Sequence, residues 1–179
     1  MRESFLYFSF FKKIFEHRLK PKLQEDPFIK FYLPSLEEAI KKSRKAFIES
    51  RSFAFCEGCA KRGIKCCGES LEWKLSLAEL ILNLLLAERR GEVLYFNTER
   101  PEDCLFLGEK GCTLILVPLF CRNFFCEDLS KFLGKERLKK IQEAMEDEAV
   151  LSFKLGDYLN RNYLFKKEFL RDSLQNSTV

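Results

Sequence analysis

Histidine is nearly absent from this chain of 179 residues, which contains only His17. Glycine and proline are also scarce, with 8 and 5 residues, which excludes a collagen-like chain. A hydrophobic content of 46% excludes a disordered one. Because His17 lies far from the cysteines, mixed Cys/His zinc sites and Cys/His nucleophilic catalysis lose most of their support.

The chain also lacks an apolar run long enough to span a bilayer, which requires roughly 20 residues. The apolar segment at residues 5–11 is short and is followed by Lys12 and Lys13, without a site that resembles a signal-peptide cleavage site. We therefore expect no membrane span and a cytoplasmic location. The net charge of +4 is a mild excess and argues against a dedicated nucleic-acid-binding protein.

The first part of the chain, residues 1–34, is an aromatic and basic arm. Repeated prolines predict a short amphipathic element followed by an extended segment. We expect Phe5, Phe8 and Phe11 to pack on the body of the domain rather than on a membrane surface.

Two segments have the sequence of a helix capping box. The first, at residues 35–38, predicts a helix over residues 36–51 that leads directly into the cysteines. The second, at residues 76–79, begins a leucine-rich helix that is expected to end at Arg90, before Gly91. Because this second helix is apolar almost all round, we expect it to be buried at the centre.

Short strands are predicted at residues 93–96 and in a hairpin formed by residues 105–107 and 113–115. In this hairpin, Cys104 and Cys112 would lie at the edges.

After residue 130 the pattern becomes helical again, and two helices separated near Gly156 are interpreted as a C-terminal scaffold over 130–174. The predicted fold class is α-rich, α+β with a minor β-hairpin. The whole chain, 1–179, is expected to form a single compact domain of about five helices around a cysteine-rich region.

All 8 cysteines fall within 71 residues, in two blocks. The first block contains Cys56, Cys59, Cys66 and Cys67. The second block contains Cys104, Cys112, Cys121 and Cys126. Cytosolic thiols stay reduced, so thiols clustered in this number predict metal binding, with disulfides or free structural thiols as alternatives.

The step from Cys56 to Cys59 suits a metal site, since a tight turn, eased by Gly58, can direct both sulfurs at one centre. Cys66 and Cys67 are neighbours, and adjacent side chains in extended backbone point to opposite sides. Either two centres lie on opposite sides of the chain, or one of these two cysteines packs or stays free. A centre that draws ligands from both blocks is energetically reasonable, because loop closure costs little beside metal–thiolate binding.

Four thiolates around Zn²⁺ or a [4Fe–4S]²⁺ core leave a net charge of about −2, which nearby cations can offset. The cations close to the cysteines in sequence are Lys61, Arg62, Lys65, Lys110 and Arg122. We expect Arg122 to interact with a thiolate, an acidic residue or a backbone carbonyl beside the site.

The second block carries a recognisable order of residues, formed by Cys104, the Gly111-Cys112 pair, Pro118, the Cys121-Arg122 pair and Cys126. With the first block, it resembles the YkgJ-type cysteine-cluster family, a zinc- or iron-chelating group related to the cysteine region of flagellin lysine N-methylase. The resemblance covers roughly residues 53–128 and implies that all eight cysteines bind metal. Two departures are the longer gap between Cys59 and Cys66, and Val117 where the family commonly has Arg.

The leading hypothesis is a cytoplasmic cysteine-cluster protein that holds an iron–sulfur cluster or zinc through thiolates. The lack of histidine and the abundance of aromatic residues favour iron–sulfur slightly. One alternative is an iron–sulfur-dependent redox or methyl-transfer enzyme, which only the resemblance suggests. Another is a structural zinc module that docks a protein or nucleic acid through the basic arm. No catalytic residue is predicted.

Overall fold

Helices account for most of the chain. The computed structural model describes residues 2–64, 66–109 and 111–165. Its helices are α1 (Glu3–Ile14), a π-helical turn (Phe15–Leu19), α2 (Lys20–Glu25), α3 (Pro27–Glu49), α4 (Ser52–Lys61), a 3₁₀ turn (Leu71–Lys74), α5 (Leu77–Arg90), α6 (Leu119–Arg122), α7 (Glu127–Leu159) and a second π-helical turn (Asn160–Leu164). Two short strands, β1 (Leu107–Gly108) and β2 (Gly111–Cys112), form an antiparallel hairpin.

The extended segment predicted within residues 1–34 is wrong, since this region is helical. Pro21 and Pro27 lie in the first turns of α2 and α3, where a helix does not need the missing N–H group. Asp26 precedes α3, and its carboxylate accepts two backbone N–H groups of the first turn. The prolines therefore mark where helices begin rather than where an extended segment lies.

The capping box predicted at residues 35–38 is also wrong, because α3 already runs through it. Pro34 lies inside this helix. Ile29, Leu33 and Leu36 are buried on both sides of the proline. Burial of this continuous apolar stripe keeps the segment helical despite the lost backbone hydrogen bond.

The second capping box is confirmed. The Ser76 hydroxyl accepts the Glu79 N–H at 3.2 Å, and the Glu79 carboxylate accepts the Ser76 N–H at 2.8 Å. Helix α5 ends at Gly91, which adopts the left-handed conformation. Its buried Asn83 donates to the Leu116 carbonyl and accepts the Leu116 N–H, which fixes the loop before α6 against this central helix.

The strand predicted at residues 93–96 is absent, because this part of the described chain is irregular. It meets the hairpin region through isolated hydrogen bonds, such as the one from Asn97 N–H to the Leu105 carbonyl at 2.7 Å. The predicted hairpin is present but shorter and shifted, with Leu107 opposite Cys112.

The separation expected near Gly156 is not found, since α7 continues through it. A Cβ at Gly156 would lie 3.8 Å from the Ala78 side chain of α5, an ordinary packing contact, so nothing at this position interrupts the helix. The break instead lies at Gly134, whose φ is 65°. The part of the scaffold beyond residue 165 lies outside the described residues.

The main apolar core lies between α1, α3, α5 and the end of α7. Phe8 is fully buried there, and Phe5 and Phe11 pack against it, as predicted. A smaller cluster joins α3 to the first half of α7 and contains Phe47, Leu129, Leu133, Ile141 and Met145. Because α3 and α7 enter both clusters, the protein is one α-rich domain with a minor hairpin.

None of the helices in the described ranges is both long and apolar enough to cross a membrane.

Asp26 connects the start of α3 to the last described helical residues. Besides capping α3, its carboxylate accepts the hydroxyls of Tyr158 at 2.8 Å and Tyr163 at 2.5 Å. Burial alone would raise the pKa of Asp26, but the hydrogen bonds from Tyr163, Ile29, Tyr158 and Phe28 together hold the pKa below its ordinary value.

We predict that Asp26→Ala lowers the free energy of unfolding by about 2 kcal/mol, because it removes a helix cap and hydrogen bonds to a charged group. Since the folded-state pKa is lowered, this stabilisation is present above the unfolded pKa of about 4 and is lost as pH falls through the folded pKa. Urea unfolding followed by circular dichroism across this pH range measures both effects.

The matched control is Asp147→Ala, which removes an aspartate whose side chain is 60% exposed. It should change stability by less than about 0.5 kcal/mol. Equal losses in the two variants would contradict the role given to Asp26.

Candidate metal centre

The first two cysteines lie on helix α4 rather than in the tight turn that their spacing predicted. Cys56 and Cys59 are one helical turn apart, so they lie on the same side of α4. Arg62 donates to the Cys59 sulfur at 3.4 Å. The chain then reverses at Gly63, whose φ is 81°, and the Ile64 N–H binds the Cys59 carbonyl at 3.0 Å. The following residues therefore begin beside the end of α4.

The vicinal cysteines lead into a contact with the second block. The Cys67 carbonyl accepts the Cys104 N–H at 3.0 Å. Next to it, Gly68 and Asp103 form an antiparallel bridge. The backbone at Cys67 is therefore fixed beside Cys104, although 36 residues separate them in sequence.

The hairpin and helix α6 add two further cysteines on this side. The Cys104 carbonyl accepts the Leu107 N–H at 2.9 Å, and Leu107 is paired with Cys112 across the hairpin. Cys121 lies on α6. The neighbouring Phe120 ring contacts the Lys74 ammonium, 5.1 Å from the ring centroid, which places α6 near the 3₁₀ turn.

Cys126, the last cysteine, belongs to a different neighbourhood. It caps α7, and its sulfur accepts the Leu129 N–H at 3.5 Å. Cys126 packs against the smaller apolar cluster together with Phe55 of α4. The Phe55 ring also contacts Phe132 of α7, with centroids 4.9 Å apart. The start of α7 therefore brings Cys126 to α4.

None of the eight cysteines, all of which the structure describes, forms a disulfide. The thiol of Cys56 has its pKa raised to about 11, first by burial and then by Cys66, Cys126, Cys59 and Cys67. The pKa of Cys66 is raised by burial and then by Cys126 and Cys59. We call these four residues, Cys56, Cys59, Cys66 and Cys126, the helix group.

The other cysteines also influence one another, and the pKa of Cys67 is raised by burial and then by Cys66 and Asp103. Burial raises the pKa of Cys104 to about 11 and that of Cys112 to about 12, and both Cys67 and Cys121 add to each shift. Cys112 keeps a solvent-accessible face, yet the surrounding protein strongly disfavours its thiolate. We call Cys67, Cys104, Cys112 and Cys121 the hairpin group.

Within the described ranges, no three His, Cys, Asp or Glu side chains are placed so that they could hold a metal ion together. The sulfurs are near enough to affect one another electrostatically, but as placed they do not form a closed ligand set.

The cations predicted to offset thiolate charge have different surroundings. Arg62 reaches the Cys59 sulfur, whereas Lys61 is paired with Glu57 on the exposed side of α4. Lys65 and Lys110 lie outside the described residues.

Arg122 is buried rather than directed at a sulfur. Its guanidinium forms an ion pair with Glu148, and their side chains are only 8% and 1% exposed. Its Nε donates to the Val117 carbonyl at 2.8 Å. The expected acidic and carbonyl partners are therefore present, while a role toward a bound cofactor remains a prediction.

Glu148 also accepts the hydroxyl of Ser43 in α3. Burial raises the pKa of Glu148, and Arg122 and Ser43 offset part of that rise. The sequence analysis missed this carboxylate. The sequence does contain a sign of it. Glu148 lies at helical spacing from Ile141 and Met145, so it is a charged residue on an otherwise apolar stripe.

A second buried carboxylate that the sequence analysis missed, Glu72, lies on the side of the hairpin group. It is 2% exposed, and its Oε1 accepts from Arg2 and from Ser4, both at 2.6 Å. Its charge contributes to the raised pKa of Cys104. Arg2 also donates to the Asp103 carbonyl at 2.8 Å, so the residue before α1 is tied to the segment that leads into Cys104.

Comparison of the chain with protein-family models, curated proteins and solved structures found no match.

We predict that Arg122→Ala lowers the free energy of unfolding by about 3–5 kcal/mol, because it leaves the buried Glu148 without its counter-charge. The double variant Arg122→Ala/Glu148→Gln should recover part of this loss. Denaturant unfolding of the single and double variants tests the coupling.

Arg161→Ala is the matched control, since Arg161 is 75% exposed and forms a surface ion pair with Asp157. It should change stability by less than about 1 kcal/mol. If Glu148→Gln worsens the Arg122→Ala variant, the pair is not coupled in the way described.

Proposed function

We propose that this protein is a metal-binding cysteine-cluster protein that holds an iron–sulfur cluster or zinc through its cysteine thiolates. The observation that carries the proposal is the meeting of the two cysteine blocks. The backbone of Cys67 is hydrogen-bonded to that of Cys104, and Cys126 lies at the start of α7 against α4. This agrees with the resemblance to the YkgJ-type family.

The donor set suits such a cofactor. Thiolate sulfur is the ligand that zinc and iron–sulfur clusters share. In the metal-free protein, the raised pKa values keep Cys56, Cys104 and Cys112 protonated at neutral pH. A bound metal would displace these protons and balance the mutual repulsion of the thiolates. The sulfurs would have to draw together on binding.

The choice between an iron–sulfur cluster and zinc depends on which ligands the protein offers. Because Phe120 and Phe124 are more than half exposed, aromatic shielding does not distinguish the two cofactors. The lack of histidine leaves an all-thiolate set, so we keep iron–sulfur as the first choice and zinc as the second. Reduced thiols are maintained in the cytoplasm, which is the location we propose.

The alternatives have less support. A docking module that used the basic N-terminal segment has less positive charge to offer than the sequence indicates, since Lys12 is paired with Glu16 and Lys20 with Glu88. The methyl-transfer or redox enzyme depends on the family resemblance alone.

Elemental analysis and visible absorption of anaerobically purified protein test the proposal. We expect either a brown protein that contains iron and acid-labile sulfide, or a colourless protein that contains zinc. Protein that holds neither metal, even after anaerobic reconstitution, would overturn the proposal.

We further predict that Cys59→Ser and Cys121→Ser each lower metal occupancy and increase hydrogen exchange in both cysteine blocks, because ligands from both blocks share the metal. Ala60→Ser, at an exposed position of α4, introduces the same side chain without removing a sulfur and should leave both measurements unchanged. Loosening confined to the substituted block would show that each block binds on its own.

A further inference from the structure

Cys67 and Cys104 lie directly opposite each other across a short antiparallel ladder. The bridge between Gly68 and Asp103 sets the register of this ladder. The hydrogen bond from the Cys104 N–H to the Cys67 carbonyl, at 3.0 Å, continues it by one residue on each strand. Opposed residues of a ladder place their side chains on the same face. The two thiols therefore share one face of the junction, although 36 residues lie between them in sequence.

This face of the junction is open to small molecules. Side chains alternate along a strand, so Cys104 lies on the opposite face from its neighbour Asp103. Asp103 is fully buried, whereas Cys104 is partly exposed and Cys67 is exposed. The thiol pair is therefore on the solvent side of the ladder, and a soluble reagent can reach it.

The spacing of the ladder suits a disulfide between these two residues. A hydrogen-bonded pair of opposed residues has its Cα atoms about 5.5 Å apart, and disulfides most often join Cα atoms that are about 5.5–6 Å apart. The adjacent residues Cys66 and Cys67 do not meet this requirement, because consecutive Cα atoms are only about 3.8 Å apart.

The ladder also leaves room for the final approach of the sulfurs. Opposed Cβ atoms, about 4.5–5.5 Å apart, must come within about 3.5–4.5 Å in a disulfide. The ladder ends at this pair, since the Cys104 carbonyl binds the Leu107 N–H and not Cys67, so the strands can close there. In α4, Cys56 and Cys59 start about 5–6 Å apart at Cβ, and the helical hydrogen bonds around them hold that spacing.

We infer that Cys67 and Cys104 form a reversible disulfide in the metal-free protein, with a low-molecular-weight disulfide, represented by oxidised glutathione, as the oxidant. The sulfur of Cys67, the more exposed of the two, attacks the oxidant, and one glutathione leaves as a thiol. The Cys104 sulfur then attacks the mixed disulfide at Cys67 and releases the second glutathione. Two protein thiols are oxidised, one glutathione disulfide is reduced, and the two thiol protons pass to the leaving groups.

The disulfide has a consequence for the proposed metal site. The metal ligand is the thiolate, so two sulfurs joined to each other no longer serve as ligands. Because the disulfide links one cysteine from each block, it withdraws a ligand from both blocks at once. This consequence rests on the proposed function, whereas the formation of the disulfide does not.

Peptide mapping tests the disulfide in the full-length protein. Reduced, chelator-treated protein is incubated with oxidised glutathione at about pH 8.5, because burial raises the pKa of both thiols and slows exchange at neutral pH. Remaining thiols are blocked with iodoacetamide, and the linked peptides are identified by mass spectrometry after non-reducing digestion. We expect a peptide joined through Cys67 and Cys104 to dominate, and dithiothreitol to reverse the linkage.

Variants decide which sulfur of the vicinal pair takes part, since trypsin leaves Cys66 and Cys67 in one peptide. Cys66→Ser is the matched control and should leave the linkage to Cys104 intact. Cys67→Ser should abolish the linkage and leave Cys104 open to alkylation. No linked peptide in the wild type, a linkage retained in Cys67→Ser, or a dominant disulfide between Cys56 and Cys59 would overturn the inference.

Zinc uptake tests the consequence for the metal site. Reduced wild-type protein should bind zinc, the oxidised protein should bind less, and dithiothreitol should restore the difference. Equal uptake by the two forms would overturn the effect of the disulfide on the metal site. Protein that holds neither zinc nor iron in its reduced form would overturn the proposed function, while the peptide map decides the disulfide by itself.

Discussion

The pairing of the Cys67 backbone with Cys104 is the contact on which the arrangement of the cysteines depends. It joins a segment that follows α4 to a segment that precedes the hairpin, and the Gly68–Asp103 bridge continues it. Backbone hydrogen bonds do not depend on side-chain identity, so this junction does not require the thiols themselves to be in contact. The junction brings the two cysteine blocks next to each other.

The scaffold behind the cysteines is held by buried charge. Ser43 of α3, Glu148 of α7 and Arg122 of α6 meet in one buried network. Such a network adds little stability compared with an apolar packing, but it tolerates few alternative arrangements, since any displacement leaves a charge unpaired. It therefore suits a role in fixing where α6 lies against the two long helices.

Much of the fold follows from the sequence, but the N-terminal third shows where local patterns mislead. The Ser76 capping box and Gly91 give the limits of α5, because both signals act within one turn of the helix. A local pattern could not show that the chain stays helical at Pro34. Burial of Ile29, Leu33 and Leu36 against distant helices keeps it so. The same holds for Gly156, whose neighbour Ala78 is 78 residues away.

The sequence predicts which cysteines belong to the candidate site better than it predicts which of them lie close together. Cysteine spacing identifies the eight thiols, but the vicinal pair alone leaves open whether both of its members are ligands. That Cys126 lies with α4 rather than with Cys121 depends on the packing of Phe55 on Phe132, which no local pattern encodes. Glu148, the partner of Arg122, is 26 residues further along the chain, so only the tertiary structure reveals the pair.

Gly58, which lies between Cys56 and Cys59, is part of helix α4 and not of a turn. In a tight turn, Gly58 would be required for its conformational freedom, but here it lies in the middle of a helix and no atom would crowd an added Cβ. Replacing it with alanine removes the roughly 1 kcal/mol that glycine costs inside a helix. Position 58 thus tolerates a side chain, whereas a changed spacing would move Cys56 and Cys59 off the same side of α4.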